Sequence, residues 1–485
     1  MTSLPTFVTA VGVLPAVLLA AYLVAQTLVL FYAAHRSLLL WRWWRRRPRG
    51  VTAPPARDTW PVVTVQLPVY NEPRVVRRLV ASIAALDYPR DRLEIQVLDD
   101  STDATTSMAE AEVERLRAAG LDIRVLHRLT RRGHKAGALS DGLKQAKGEL
   151  IAVFDADFVP PPDFLLRLVP HFERRDVGMV QARWTHLNRG KSFLTEAQSV
   201  LLDAHFVLEH AVRQESGHFF NFNGTAGIWR RRAIEEAGGW SDDTLTEDLD
   251  LSYRAQLAGW RFVYDSAGTA PGELPEDLGA LKTQQRRWTK GAIQCSRKLL
   301  PRVLRERHGT RLRLEAIHHL TANLVYPLIL VLGILMVPLM VMVPKASAVP
   351  LALHVAIVVL GFGPTVAFLT VGQQALGRSP WNSLRGAAAA LLLGIGLSVN
   401  NSRAVCEGLR GPAGPWERTP KTGGGRPAPA ARGQFAVIEA ALAVGFASAG
   451  VYAVAAAQYR TLPFLLLMAA GFASVAWSSR PPREA

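Results

Sequence analysis

Apolar residues are distributed unevenly along this chain of 485 residues, and their distribution limits the folds that it can adopt. They concentrate near the N-terminus and over the last third, whereas residues from about 50 to 310 have the composition of a soluble domain. The first apolar run, Phe7–Ala34, is long enough to cross roughly 30 Å of hydrocarbon. Basic residues follow this run instead of preceding it, which is typical of a retained anchor whose N-terminus is outside and whose following domain is cytoplasmic.

Further apolar runs follow the soluble segment. A short stretch among them, Gly386–Val399, has basic residues on both sides, so we expect it to lie in the membrane interface or to re-enter the membrane. Together with the N-terminal anchor, the longer runs predict an α-helical transmembrane bundle of about five spans with the C-terminus inside. These longer runs are Ile317–Val343, Ala348–Gly372, Phe435–Ala457 and Thr461–Trp477.

The pattern predicts three regions. Residues 1–50 form the N-terminal anchor with its basic flank, residues 51–310 form a cytoplasmic domain that ends in an interfacial helix, and residues 311–485 form a C-terminal membrane region. The last region contains the interfacial segment 386–401 and a stretch rich in Gly, Pro and basic residues, 411–432, whose composition is that of a mobile linker. The abundance of Ala, Arg, Gly and Pro is typical of a GC-rich bacterial genome and predicts a multi-pass protein of the bacterial inner (plasma) membrane.

The formal net charge of +16 would permit nucleic-acid binding. Much of the excess Arg and Lys lies beside apolar segments, however, where cytoplasmic flanks are normally basic. We therefore expect the lipid bilayer, with its anionic headgroups, to be the partner of this charge, and no nucleic acid. The two cysteines, Cys295 and Cys406, form no metal-ligand or redox spacing.

Strands and helices alternate in the soluble segment. Strands are predicted at Pro61–Pro68, Glu94–Leu98, Ile123–Leu126 and Leu150–Phe154, with helical patterns between them. This alternation predicts an α/β domain with a mostly parallel central sheet. No G-x-G-x-x-G follows the first strand, and the sequence has no Walker-type phosphate loop, which argues against a dinucleotide-binding domain and a P-loop enzyme.

Acidic residues directly follow two of the predicted strands. Asp99-Asp100 ends the second, and Asp155-Ala156-Asp157 ends the fourth. Because ligands of such sheets bind beyond the carboxyl ends of the strands, we expect both clusters to meet in one crevice. Asp155 and Asp157 suit a hard divalent cation, Mg²⁺ or Mn²⁺, that bridges carboxylate and diphosphate oxygens, although a solvated turn is the alternative. Asp100 is placed to contact a nucleobase or ribose, or to assist the metal.

Three further polar positions fit the same chemistry. Lys135 lies at the start of a predicted helix, where backbone N–H groups also favour phosphate. Thr246-Glu247-Asp248 begins another helix with Thr246 as its N-cap, and Asp248 is the candidate general base for an acceptor hydroxyl. In Gln284-Gln285-Arg286-Arg287-Trp288, Arg287 can stabilise diphosphate charge and Trp288 can stack on a sugar ring. A basic amphipathic helix on the membrane is the alternative reading of that segment.

These motifs resemble those of the membrane-embedded family 2 glycosyltransferases, which include cellulose, mannan and hyaluronan synthases. The resemblance covers roughly Val62–Trp288 and continues into the C-terminal membrane region. Within it, Phe222–Arg230 is most similar to the cellulose-synthase-like mannan and glucan synthases. The resemblance to the family rests on four motifs: the paired Asp99-Asp100, D-x-D at Asp155–Asp157, T-E-D at Thr246–Asp248 and Q-x-x-R-W at Gln284–Trp288.

The resemblance implies a GT-A fold, a nucleotide-sugar donor and a divalent metal held by the D-x-D aspartates. It also implies that Asp248 is the base and that Trp288 lies beneath the acceptor sugar, with Glu247 and Gln284 beside the acceptor. The residues expected to bind the donor are Asp100, Lys135, Asp155, Asp157 and Arg287.

The segment Arg418-Thr419-Pro420-Lys421 resembles the gating-loop motif of bacterial cellulose synthases, whose threonine and lysine reach over bound nucleotide. This similarity implies that the stretch 411–432 is a gating loop and that Thr419 and Lys421 are its functional residues. The usual aromatic-hydrophobic start of the motif is replaced here by Trp416-Glu417-Arg418.

Taken together, these features predict an inverting membrane glycosyltransferase that uses a donor such as UDP-glucose or GDP-mannose to extend a β-linked polysaccharide processively. The alternative is a non-processive enzyme that glycosylates a membrane lipid, either ceramide-like or polyprenyl. A catalytically inactive receptor or scaffold would require the loss of at least one motif carboxylate, and none is lost.

Overall fold

Each of the four β-branched, apolar segments predicted as strands forms a strand in the computed structural model, with ends that differ by no more than two residues. The structure describes residues 12–46, 59–342, 351–412, 414, 418–419, 421, 423–424 and 435–479, without the side chains of 351–358 and 435–436. The strands are β1 Val63–Val69, β2 Leu93–Asp99, β3 Asp122–His127, β4 Leu150–Val153, β5 Val177–His186, β6 Gly227–Arg230 and β7 Arg261–Gly272.

Helices connect the strands and form the membrane region. Helix α1, Val13–Arg46, precedes the first strand. The helices between the strands and directly after the last one are α2 Val76–Ala84, α3 Thr105–Ala118, α4 His134–Gln145, α5 Phe164–Leu168, α6 Phe193–Ala204, α7 Ala211–Glu215, α8 Arg231–Glu236, α9 Glu247–Leu257 and α10 Leu278–Arg305. The helices that follow α10 are α11 Thr310–Thr321, α12 Val325–Met342, α13 Leu351–Ala375, α14 Pro380–Gly396, α15 Ser398–Arg410, α16 Phe435–Ala455 and α17 Leu462–Ser478.

Within the described residues, the seven strands form one sheet in the order β3-β2-β1-β4-β6-β5-β7. Strands β1 to β4 are parallel, β6 is antiparallel to both of its neighbours, and β7 is parallel to β5. The prediction of a mostly parallel sheet is therefore confirmed. Because four parallel strands share one direction, their carboxyl ends meet at one edge, which is where a ligand site is expected.

The sheet lies between two apolar layers, and alternate residues of β4 show why. Leu150 and Ala152 pack into one layer, whereas Ile151 and Val153 pack into the other. Successive side chains of a strand point to opposite faces, so a continuous apolar strand is buried on both sides. This packing fixes the strand ends that carry the acidic clusters.

Three helical stretches among the described residues are long and apolar enough to cross a membrane: Val13–Arg46, Thr310–Met342 and Val437–Ala455. The count becomes four if α14 and α15, bent by 53° relative to each other, are one span. These helices indicate a membrane protein, and the total of about five spans stays a prediction. Helix α17 has 17 residues, or about 25 Å at the usual rise, which is short for the hydrocarbon core.

The stretch Gly386–Val399, predicted to be interfacial, spans the break between α14 and α15. Either a broken span or a re-entrant pair produces such a bend, so the interfacial position stays a prediction, as do the orientation of the N- and C-termini and the region boundaries at 50 and 310.

A buried carboxylate joins the first membrane helix to the soluble domain. The Glu315 side chain on α11 is only 3% exposed, and its Oε1 lies 3.0 Å from His35 Nε2 on α1 and 3.1 Å from Arg213 Nε on α7. Arg42 and His218 approach its other oxygen at 3.5 and 3.6 Å. Groups from three separate segments therefore compensate this one charge.

A second buried ion pair joins α10 to the C-terminal helices. Lys282 Nζ lies 2.7 Å from Glu439 Oε1 on α16, and these side chains are 9% and 0% exposed. The Lys282 backbone carbonyl also accepts a hydrogen bond from Asn400 Nδ2 on α15, at 3.1 Å. Helix α10 is thus fixed against two helices of the membrane region.

We expect Glu439→Leu to lower the free energy of unfolding by about 3 kcal/mol, because it removes the counter-charge of a buried ammonium. The double variant Lys282→Met/Glu439→Leu removes both charges and should recover most of this loss. Thermal unfolding in detergent measures both effects. A double variant at least as unstable as Glu439→Leu alone would contradict the buried ion pair.

Candidate active site

A cleft with an empty volume of about 1170 Å³, its opening to solvent included, lies beyond the carboxyl ends of β1, β2 and β4. The predicted convergence of the two acidic clusters is confirmed, because Asp100 and the D-x-D aspartates all line it. All of the candidate residues inferred from the sequence lie on its walls: Asp100, Lys135, Asp155, Asp157, Glu247, Asp248, Gln284, Arg287, Trp288, Thr419 and Lys421.

Lys135 is a buried partner of the carboxylates and not a solvated surface lysine. Its Nζ lies 2.5 Å from Asp155 Oδ1 and 3.8 Å from Glu247 Oε1, and it donates a hydrogen bond of 2.8 Å to the Gly224 carbonyl. Burial lowers the pKa of Lys135, but these carboxylates outweigh burial and raise it above its usual value. Lys135 therefore remains a cation at the first turn of α4.

A second lysine compensates the other D-x-D aspartate. Lys421 Nζ lies 2.7 Å from Asp157 Oδ2, although the two residues are far apart in the chain. Burial raises the pKa of Asp157 in spite of this lysine. Nearby Glu72 is buried too, and burial raises its pKa to about 8, with Lys421 opposing the shift and Asp157 adding to it. Two buried acidic side chains, Asp157 and Glu72, therefore lie near Lys421.

Asp248 lies in the first turn of α9, where its Oδ1 accepts a hydrogen bond of 2.8 Å from Leu249 N. Burial and the adjacent Glu247 raise the pKa of Asp248 to about 7, while Lys135 lowers it. A carboxyl group with such a pKa can take up and release a proton near neutral pH, which suits a general base.

Thr246 occupies the predicted N-cap position of α9, but its side chain makes no capping hydrogen bond. Its Oγ1 instead lies 3.4 Å from Cys295 Sγ on α10. The predicted capping hydrogen bond of Thr246 is therefore wrong, because its hydroxyl contacts Cys295 on α10 instead of a backbone N–H of α9. The acidic residues that follow still lie at the positive end of the helix.

The polar residues of the Q-x-x-R-W motif share one face of α10. Gln284, Arg287 and Trp288 are three and four residues apart, which places them side by side on a helix, and all three line the cleft. Burial lowers the pKa of Arg287, and the carboxylates of Glu247 and Asp155 oppose this shift. This face of the helix therefore points into the cleft, so the motif is more than a basic membrane-surface helix.

Arg418, Lys421 and Gly423 contact residues after three different strands around the cleft. Arg418 Nη1 donates a hydrogen bond to the carbonyl of Asn71 after β1, and Gly423 N donates one of 3.2 Å to Glu273 Oε2 after β7. Lys421 provides the contact after β4. Trp416, Glu417 and Pro420 of this motif lie outside the described residues.

Several cleft residues were missed from the sequence. Arg128 forms a bidentate ion pair with Asp100: its Nε and Nη2 lie 2.7 and 2.6 Å from the two carboxylate oxygens of Asp100. The Arg131 guanidinium lies 3.4 Å from the centre of the Tyr70 ring. A signal was available for these residues, since Tyr70, Arg128 and Glu273 each directly follow a strand, as the recognised aspartates do.

The D-x-D aspartates offer two hard oxygen donors for a cation. Among the described residues, no group of three or more His, Cys, Asp or Glu side chains is placed to hold a metal ion. Mg²⁺ commonly takes one or two protein carboxylates and completes its shell with phosphate oxygens and water. Asp155 and Asp157 therefore fit a cation that binds together with a diphosphate.

The central part of the chain matches a known family. Residues 61–291 match the model described as glycosyltransferase like family 2. This segment is a family 2 glycosyltransferase domain. The family 2 domain carries all four motifs recognised in the sequence, from Asp99-Asp100 to Gln284–Trp288.

Curated relatives share this domain. The chain is 44% identical over 255 residues to glucomannan 4-beta-mannosyltransferase 2 of Arabidopsis thaliana, which covers 52% of this chain and 48% of the relative. It is 42% identical over 280 residues to glucomannan 4-beta-mannosyltransferase 1 of Oryza sativa subsp. japonica, covering 55% and 54%. The chain spans about half the length of these curated relatives. They are plant proteins, so they give no support to the predicted bacterial location.

A solved structure shares the fold. The mannosyltransferase PcManGT from Pyrobaculum calidifontis, in complex with GDP-Man and Mn²⁺, is 21% identical, with a TM-score of 0.50 over 82% of this chain and 98% of that chain. The family 2 domain thus has the GT-A type of α/β fold that the sequence predicted.

A glycine beside the candidate base provides a test of the site. Gly224 has a φ of +83°, and a Cβ there would lie 3.0 Å from Asp248 Oδ2. Gly239 has a φ of +74° with no atom within 4 Å of its Cβ position. Both Gly→Ala variants should lose about 1 kcal/mol of stability through backbone strain.

We expect only Gly224→Ala to lower the glycosyl-transfer rate, by about tenfold or more, because only its methyl group displaces the Asp248 carboxylate. Unfolding midpoints and initial rates of both variants measure this difference. Equal rates in the two variants would show that the approach of Gly224 to Asp248 does not matter for the chemistry.

Proposed function

We propose that this protein is an inverting, membrane-bound glycosyltransferase that extends a β-linked polysaccharide processively, with a nucleotide-diphosphate sugar as donor. The observation that carries the proposal is the meeting of Asp248, Trp288 and the D-x-D aspartates in one cleft of a family 2 domain. Among the possible donors and products, we propose GDP-mannose as the donor and a β-1,4-mannan backbone as the product. The names of the two plant relatives and the GDP-Man in the Pyrobaculum calidifontis structure support this choice.

The proposed reaction is a single in-line displacement. The Asp248 carboxylate takes the proton of an acceptor hydroxyl, whose oxygen bonds to the anomeric carbon as the bond to the diphosphate oxygen breaks. One displacement inverts the configuration, so an α-linked donor gives a β-linked product. Trp288 supports the acceptor sugar through its ring face, and Glu247 and Gln284 lie beside the acceptor.

Positive groups on three sides of the cleft would bind the donor diphosphate. Lys135 comes from α4, Arg287 from α10 and Lys421 from the proposed gating loop, in which Thr419 is its buried neighbour. Asp155 and Asp157 would hold Mg²⁺ or Mn²⁺, which, when bound, neutralises charge on the leaving diphosphate. Asp100, held by Arg128, faces the nucleoside part of the donor.

The proposal is tested with purified protein in lipid and a panel of radiolabelled GDP-mannose, UDP-glucose and other nucleotide sugars, each with Mg²⁺ or Mn²⁺. High-molecular-weight product from GDP-mannose that a β-mannanase digests would support the proposal. A single product soluble in organic solvent would instead identify a lipid glycosyltransferase, and no transfer from any donor would refute both.

The transfer rate should depend on the ionisation of Asp248. Because the pKa of Asp248 is raised to about 7 and the base acts when deprotonated, the rate should fall by about tenfold per pH unit below 7 and level off above it. Asp248→Asn should abolish transfer while leaving nucleotide binding within about threefold. Turnover by Asp248→Asn would remove Asp248 as the base.

Metal dependence should follow the D-x-D pair. Asp157→Ala should weaken cation-dependent donor binding by about tenfold or more, because one of two carboxylate ligands is lost. Asp176→Ala, which removes an exposed aspartate paired with Arg174, is the matched control. Calorimetric titration of donor with and without Mn²⁺ measures both, and equal affinities in all four titrations would refute the metal role.

A further inference from the structure

The turn that carries the candidate base rests against the middle of α10. Gly291 lies so close to Thr246 that a Cβ there would be 2.6 Å from its Cγ2 and 2.8 Å from its backbone N. Cys295, one turn further on, contacts the Thr246 hydroxyl. The position of Asp248 therefore depends on α10 as well as on α9.

One side chain of α10 bonds to this turn and to a distant segment. Gln294 Oε1 accepts a hydrogen bond of 3.1 Å from Leu245 N, and its Nε2 donates one of 2.9 Å to the Pro412 carbonyl. The Gln294 side chain is buried. One partner is a donor and the other an acceptor, so the amide fits in one orientation only, and no charged or purely apolar side chain can make both bonds.

The two partners lead to opposite sides of the cleft. Leu245 comes shortly before Asp248, whereas Pro412 precedes Arg418 and Lys421 in the chain, and both of these line the cleft. Gln294 therefore joins the side of the cleft that would activate the acceptor to the side that would hold the donor.

The end of α15 is fixed to α10 just before Pro412. Arg297 Nη1 donates a hydrogen bond of 3.0 Å to the Gly408 carbonyl, and a Cβ at Gly408 would lie 2.9 Å from Ile293 Cβ and from the Lys290 carbonyl. Arg297 and Gln294 thus both hold this region to α10, but Gln294 alone of the two contacts the base-bearing turn.

We propose that Gln294 is a positioning residue, which sets the Asp248 turn and the two side chains Arg418 and Lys421 in a fixed relation to each other. Its Oε1 bond orients the base, and its Nε2 bond places the groups that contact the donor. The inference rests on the proposed function, since it assigns these two bonds to acceptor activation and to donor binding. Gln294 touches neither substrate.

Two variants separate the two bonds. Gln294→Glu, assayed at pH 8, keeps an acceptor for Leu245 N but loses the donor to Pro412, whereas Gln294→Met loses both. Arg297→Met is the matched control, because it removes a bond between α10 and α15 without touching the Asp248 turn. Donor KM and kcat are measured for each, together with the rate at which trypsin cleaves nucleotide-free protein after Arg418 and Lys421.

Loss of a buried hydrogen bond of about 1.4 kcal/mol corresponds to about a tenfold change. We therefore expect Gln294→Glu to raise the donor KM about tenfold with kcat within about threefold. Gln294→Met should raise KM similarly and lower kcat by about tenfold as well. Tryptic cleavage should be faster in both Gln294 variants than in the wild type or Arg297→Met.

A merely structural role predicts a different pattern, in which all three variants lose thermal stability and KM and kcat do not separate. That result, or wild-type kinetics and cleavage in Gln294→Met, would overturn the proposal. If the wild-type protein transfers no sugar, the proposed function fails, and the cleavage rates alone decide whether Gln294 holds Arg418 and Lys421 in place.

Discussion

The burial of several carboxylates in one cleft is the constraint on which the site depends. Unpaired charges cannot be buried at low cost, so each carboxylate needs a cation nearby or a raised pKa. Lys421 meets this need for the buried Asp157, and buried Glu72 meets it through a pKa raised to about 8, while Lys135 pairs with the partly exposed Asp155. One of the two lysines belongs to the C-terminal region and not to the family 2 domain. The charge balance of the cleft therefore requires both parts of the chain.

Helix α10 links these parts, because its faces contact different neighbours. One face presents Trp288 and its motif partners to the cleft, while Lys282 pairs with α16 and Arg286 pairs with Glu407 of α15. A helix of 28 residues with a repeat of 3.6 can serve several surfaces at once. Helix α10 therefore contributes, together with the Glu315 cluster, to the position of the cleft relative to the membrane helices.

The sequence predicted the strands and the acidic clusters well because both depend on local patterns. Apolar β-branched runs and the residues just after them can be read without knowing the fold. Glu72 and Arg128 also come shortly after strands. The importance of Glu72 depends on Lys421, which is distant in the chain, and that of Arg128 depends on Asp100, which follows a different strand. The failed Thr246 cap has the same cause, since a contact with α10 prevails over a local preference.

The cluster around Glu315 has a consequence for the order in which the chain can fold during synthesis. His35 and Arg42 belong to α1, whereas their acidic partner is residue 315. Helix α1 therefore carries polar groups whose counter-charge is synthesised only after the whole family 2 domain. Domains generally fold in the order of synthesis. The attachment of the anchor to the soluble domain is accordingly a late step, completed only once that domain has already emerged.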